Sequence, residues 1–251
     1  MGDSESVTYC VAVRVNAGLV LLSDTRTNAG VDNIGRFRKT FTYENLGERA
    51  LAIMCSGNLS VTQEVKTILS RAIKDHAEGI ETETLLNCRT MHRAAQMVGD
   101  TMKTVQSRMH NQLGMSSNSL AANMILCGQR KGGKLRLYLI YSDGNFIEAS
   151  ADTPFFQIGE HKYGKPILDR IIKRETTLED ATKAVMVSMD STLRSNLSVG
   201  MPLDLTVIER DQFDFRVRTR IEADNEEFQL LSLSWSAALR KGFEDLPNVM
   251  D

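Results

Sequence analysis

Apolar and polar positions change their period several times along the chain, and the changes divide it into strand and helix runs. Residues 8–24 begin as two short apolar strands joined by a turn at Asn16-Ala17-Gly18. Strand patterns return over residues 37–44 and 50–55. Helical spacing then starts near Leu59 and runs to His76, with Val61, Val65, Ile68, Leu69 and Ala72 on one face. A second long helix is predicted over residues 84–110, its face made of Leu85, Cys88, Met91, Ala95, Val98, Met102 and Val105. Strands follow at 121–127, 135–141 and 146–149, separated by turns at Lys131-Gly132-Gly133 and Ser142-Asp143-Gly144-Asn145. Helices are expected at 162–173 and 178–193, the second opened by the capping pattern Thr177-Leu178-Glu179-Asp180. A hairpin over 203–210 and 213–219 and a helix over 225–241 complete the chain. Blocks of strands alternate with pairs of helices, not strand by strand, which argues against a Rossmann-type sheet. The pattern predicts an α+β fold: two stacked antiparallel sheets between two helix layers, an αββα sandwich of four layers.

Composition narrows the function classes. The 251 residues contain no Pro-, Gly- or Ser-rich linker and no repeat, so one domain is expected over 8–251, with 224–251 a C-terminal helical extension. A net charge of −2 gives no general electrostatic reason to bind nucleic acid or an acidic membrane. No apolar run has membrane-spanning length, and the acidic start Met1-Gly2-Asp3-Ser4-Glu5-Ser6 does not read as a signal peptide. Cys10, Cys55, Cys88 and Cys127 are scattered without a CxxC pair. They read as buried free thiols in a reducing compartment, hence a cytoplasmic protein.

The candidate chemistry sits at one end of the first hairpin. In an antiparallel pair the start of one strand lies beside the end of the other, so the Thr8 hydroxyl and the Asp24 carboxylate share one sheet end. The basic stretch Gly35-Arg36-Phe37-Arg38-Lys39-Thr40-Phe41 returns a lysine there. Thr8, then Ser23-Asp24-Thr25-Arg26-Thr27-Asn28-Ala29-Gly30, Lys39, and Cys55-Ser56-Gly57-Asn58 resemble the N-terminal half of proteasome β-type peptidases, above all the bacterial Anbu (ancestral β subunit) branch. The likeness is densest from Thr8 to about Gln63 and weakens toward Ile208.

That resemblance implies the N-terminal-nucleophile hydrolase sandwich and a threonine peptidase in which Thr8 is residue one of the mature chain. A hydroxyl needs an adjacent base. The α-amino group serves, since its pKa of about 7.7–8.0 lies near working pH. Lys39 would stabilise the developing alkoxide, Asp24 would hold Lys39, and the Gly57 N–H would bind the oxyanion. The loop Arg194-Ser195-Asn196-Leu197-Ser198-Val199-Gly200 resembles the place where the family sets an Asp and a Ser beside the nucleophile. Ser195 stands at the Asp position, while Ser198 and Gly200 fit. Glu160 replaces the family serine, either as a substitute acceptor for the ammonium or for Ser198, or as charge at a helix N-terminus.

Residues 1–7 precede Thr8 and read either as a leader or propeptide, whose removal lets the amine act, or as an upstream extension. Peptide and small-amide hydrolysis both fit the nucleophile, and a self-assembling scaffold with a decayed site fits the changes at Ser195 and Glu160. No cofactor and no metal site is expected: the four histidines are dispersed, and Gly128-Gln129-Arg130-Lys131-Gly132-Gly133-Lys134 lacks both the Ser/Thr and the following helix of a phosphate loop. A homo-oligomer of many subunits, ring or helical stack, is expected to enclose the site. Met97, Met102 and Met109 suggest apolar surplus on the long helices, and Trp235 with its leucines reads either as an intrachain core or as a subunit interface. No ATPase signature lies in the chain, so any unfoldase would be a separate partner.

Overall fold

In the computed structural model, which describes residues 8–28, 34–116 and 118–249, the strand runs build two five-stranded antiparallel sheets and a short two-stranded ribbon. The expected leader, residues 1–7, lies outside the described residues. Strand β1 (Tyr9–Val15) turns at Asn16-Ala17 into β2 (Gly18–Asp24), pairing Cys10 with Ser23 and Val15 with Gly18. The ribbon β3 (Arg26–Asn28) and β4 (Ile34–Arg36) precedes β5 (Thr40–Asn45) and β6 (Arg49–Gly57). Helices α1 (Leu59–Ala77) and α2 (Met91–Leu113) lead to β7 (Ala122–Arg130), β8 (Arg136–Ile140), β9 (Phe146–Glu148) and β10 (Phe155–Gly159). Helices α3 (Lys165–Ile171) and α4 (Leu178–Ser195), strands β11 (Leu203–Glu209) and β12 (Val217–Ile221), and α5 (Glu226–Glu244) follow. One sheet has the order β10-β1-β2-β11-β12 and the other β5-β6-β7-β8-β9.

Strand alternation builds three cores at once. Tyr9, Val11, Val13 and Val15 of β1 point into a cluster with Ala181, Val185 and Met189 of α4. Cys10 and Ala12 point the other way, between the sheets, against Ala50, Ala52 and Met54 of β6 and Ile125 and Cys127 of β7. Leu51, Ile53 and Cys55 take the remaining face, under Val61, Val65 and Leu69 of α1 and Val98 and Met102 of α2. The inter-sheet layer sets the small side chains of Cys10, Ala12, Ala50, Ala52 and Cys127 among larger ones such as Leu19, Met54 and Phe156. A bulkier side chain at Ala52 would overpack that layer at about 1–3 kcal/mol.

Three expectations change. The second helix begins at Met91, not near 84, with Thr90 as its N-cap accepting from Arg93 N at 3.0 Å. The cause is the buried Arg49, whose guanidinium donates to the carbonyls of Leu85 (2.6 Å) and Cys88 (2.5 Å). Those carbonyls are thereby withdrawn from a helical ladder, although Leu85 and Cys88 stay buried as their pattern required. The fifth strand of the first sheet, β10, falls in a stretch whose pattern predicts no element. The apolar surplus also moves: Met102 is fully buried and Met97 and Met109 pack against the α1–α2 core, whereas α5 exposes Leu230, Leu233, Leu239 and Phe243.

Candidate active site

The β1–β2 register and the antiparallel pairing of β2 with β11 bring three chain segments to one sheet end. Asp24, wholly buried, accepts Tyr9 N at 3.0 Å and Lys39 Nζ at 2.7 Å on Oδ1, and Arg26 N at 3.2 Å and Gly200 N at 3.3 Å on Oδ2. Lys39, only 6% exposed, also donates to the Arg26 carbonyl at 2.6 Å. Its backbone is pinned because its carbonyl accepts Cys55 N at 2.9 Å, at the start of β5. Beside the pair, Ser23 Oγ and Thr40 Oγ1 lie 2.8 Å apart and bridge the two sheets. Burial pushes the Asp24 carboxyl above its ordinary range, against the pull of Lys39 and of the Tyr9 and Gly200 N–H groups.

Thr8 is 7% exposed and lines a cleft of about 830 Å³ together with Lys39, Cys55, Gly57 and Asn58. Gly57 ends β6 at φ 92°, and a Cβ there would overlap the Ala121 carbonyl. Only glycine fits that close, left-handed turn. Asn58 then caps α1, its side chain accepting Val61 N at 3.0 Å, so strand end, turn and helix start are fixed beside Thr8.

The other half of the site comes from β10 and the loop after α4. β10 pairs with β1 so that Tyr9 faces Gly159, whose φ of 84° and missing side chain allow contact with the Thr8 backbone. Glu160 N donates to the Thr8 carbonyl at 2.6 Å. The Glu160 carboxylate accepts Lys162 N at 3.1 Å and Asn196 Nδ2 at 3.1 Å. Asn196 Oδ1 in turn accepts Ser198 N at 2.9 Å and Ser198 Oγ at 2.5 Å. Glu160 therefore reaches Ser198 through Asn196 and not directly, and it closes a turn ahead of α3 where a helix charge was considered. Ser195, assigned the acidic position by resemblance, is the exposed last residue of α4, and the wiring runs through its neighbour Asn196. Gly200 sits where a Cβ would meet the Arg26 guanidinium, which donates to the Leu197 carbonyl at 2.7 Å. Arg26 and Asn196 are the site residues that sequence reasoning missed. Their signal was position, next to Asp24 and inside the Ser195–Ser198 run.

The remaining signals fall away from this end. The phosphate-loop-like stretch is the β7–β8 hairpin turn. His92 packs edge-on to Tyr138 and Phe146. Among the described residues no His/Cys/Asp/Glu cluster suits a metal ion, and the four cysteines are buried free thiols. No helix among them is long and apolar enough to cross a membrane.

Two stacked antiparallel sheets between helix layers, with the Thr8 end of the first hairpin opening into the cleft, define an N-terminal-nucleophile hydrolase fold of proteasome type. The chain belongs to the proteasome-subunit family, whose profile matches residues 5–208. Over nearly its whole length it is similar to Anbu (ancestral beta-subunit) from Yersinia bercovieri, at 43% identity, covering 97% of this chain and 99% of that one, TM-score 0.90. It is likewise similar to an Anbu (Gly-1) mutant from Hyphomicrobium sp. strain MC1, at 46% identity over 97% and 100%, TM-score 0.88. The helical assembly of the Anbu complex from Pseudomonas aeruginosa matches at 43% identity over 96% and 97%, TM-score 0.88. No curated protein matches significantly.

Proposed function

We propose that this chain is an N-terminal-threonine hydrolase of the proteasome type, cleaving peptide or amide bonds in a homo-oligomeric assembly. The observation that carries the reading is the single cleft in which Thr8, Lys39 and Gly57 meet, with Asp24 bound to Lys39 at 2.7 Å behind them. Release of residues 1–7 frees the Thr8 amine. The amine takes the hydroxyl proton as Oγ1 attacks the amide carbon, the Gly57 N–H receives the oxyanion, and the leaving amine departs with that proton. Water then hydrolyses the Thr8 ester by the same route in reverse. Lys39, held by Asp24 and the Arg26 carbonyl, disfavours the charged amine and stabilises the alkoxide.

Assembly is supported by α5, where Leu230 (66% exposed), Leu233 (66%) and Phe243 (76%) form apolar surface that the fold leaves uncovered. Its Trp235 indole N–H is buried without a hydrogen-bond partner among the described residues. The Pseudomonas relative, described as a helical assembly, is the precedent. Intact mass of the native protein, with and without a threonine-directed covalent inhibitor, tests the reading: a chain starting at Thr8 and carrying one inhibitor is expected. A full-length, unlabelled chain that still assembles by light scattering would favour the scaffold instead. Cleavage of small amides without peptides would narrow the substrate.

A further inference from the structure

The cleft wall carries chemistry beyond that of the bond to be cleaved. The described residues lining the cleft include Arg38, Lys39 and Lys66 and no Asp or Glu, in a chain whose net charge is −2. Lys39 is offset by Asp24. Among the described residues, Arg38 and Lys66 therefore set the charge of the cleft. Lys66 lies along the wall, its Nζ 5.8 Å from the Phe41 ring centroid. Its neighbour on α1, Glu64, is engaged elsewhere with Arg108 at 2.9 Å. The start of α1 opens into the same space through Asn58 and Leu59, and its first turn carries no acid, so the positive end of the helix adds to the field. Cys55 adds no charge to the lining, because burial pushes its thiol up to about 12.

We infer that the cleft, taken as the hydrolase site proposed above, selects amides whose acyl part carries a carboxylate placed to meet Arg38 and Lys66. Two exposed charge contacts together give a preference of about tenfold. A side-chain carboxylate on the acyl residue and one on a cap further along offer the same chemistry, and they differ in reach.

The test is equilibrium binding of the full chain to rhodamine-labelled tripeptide amides that differ only in the last residue, Glu, Gln or Lys, with a succinyl-capped Gln peptide as a fourth probe. Fluorescence anisotropy is expected to rank Glu about tenfold above Gln and Lys below both. The advantage should shrink as salt shortens the Debye length toward about 3 Å, and Arg38→Gln/Lys66→Gln should abolish it. If the succinyl probe matches Glu, the carboxylate is read at the cap; if only Glu gains, it is read at the acyl side chain. Equal binding of Glu and Gln, survival of the ranking in the double variant, or no binding of any probe would overturn the inference. Binding does not need the nucleophile, so Thr8→Ala should keep the ranking. A retained ranking in a protein that no threonine-directed inhibitor labels would overturn the hydrolase reading alone.

Discussion

The two halves of the site are built by different physics. Asp24 and Lys39 are buried, and the carboxylate is gripped by three backbone N–H groups and one ammonium. The Glu160–Asn196–Ser198 half is partly exposed and held mainly by side-chain contacts. A buried charge tolerates little variation, because an unmatched carboxylate in the interior is costly. A solvated relay can exchange residues while keeping its connectivity. Substitution is therefore expected to be tolerated less at Asp24 and Lys39 than along the Glu160–Asn196–Ser198 chain. Arg26 joins them: its backbone serves Asp24 and Lys39, and its guanidinium holds the Leu197 carbonyl.

The largest effect should come from removing Lys39. Lys39→Ala is expected to reduce inhibitor labelling of Thr8 by at least about a thousandfold, the upper range for a positioned proton-handling group. Stripping one partner from a buried ion pair also destabilises by about 3–5 kcal/mol, so the fold loses melting temperature as well, contrary to a purely catalytic expectation. Lys39→Arg should also fail to label, because a planar guanidinium does not replace a compact ammonium between Asp24 and the Arg26 carbonyl. Lys39→Met combined with Asp24→Asn should recover stability and not labelling. Near-parental labelling by Lys39→Arg would remove Lys39 from the chemistry.

A second, smaller effect comes from Asp24. Its folded-state proton is held to higher pH than in the unfolded chain, where a carboxyl titrates near about 3.9. Holding Lys39 requires the ionised form, so the labelling rate should fall as pH drops through that raised value. Stability runs the other way: ionising Asp24 as pH rises from about 3.9 through the same window costs stability, since the folded state binds its proton more tightly. Asp24→Asn should lower the rate about a hundredfold and abolish the acid limb. An unchanged acid limb in Asp24→Asn would assign it to another group.

What could be read in the sequence tracks the same division. Apolar runs buried on both faces marked β1, β2 and β6, and strand direction alone placed Asp24 at the Thr8 end of the hairpin, where it meets Tyr9 N. β10 escaped because its apolar run is short: Phe155 and Phe156 are followed by Gln157, then Ile158, before Gly159 ends the strand. The start of α2 was misplaced because Arg49, far off in sequence, claims the carbonyls of Leu85 and Cys88. Asn196 was passed over for Ser195 because a loop's side-chain direction depends on where α4 ends, which periodicity does not fix. Long-range hydrogen bonds decided the start of α2.

The smallest effect should come from Glu160. A carboxylate only accepts, so it obliges Asn196 to present Nδ2 to it and Oδ1 to Ser198. The Ser198 proton is then committed to Asn196, so in the proposed mechanism the Ser198 oxygen would be the acceptor for a freed Thr8 ammonium. Glu160→Gln can donate as well as accept. The Asn196 amide is then free to turn over, and Ser198 loses its fixed polarity. The expected result is a labelling rate lowered about tenfold, below the 10²–10⁴ range of a direct acid or base, and shifted in its pH profile because the amine's acceptor is less well held. Stability should move by no more than about 0.5 kcal/mol, as for a surface change, since Gln still accepts Lys162 N. Asn196→Asp should be worse, placing a second carboxylate 3.1 Å from the first. If Glu160→Gln labels at the parental rate with the parental pH profile, Glu160 serves only the turn at Lys162, and the relay through Asn196 has no part in the chemistry.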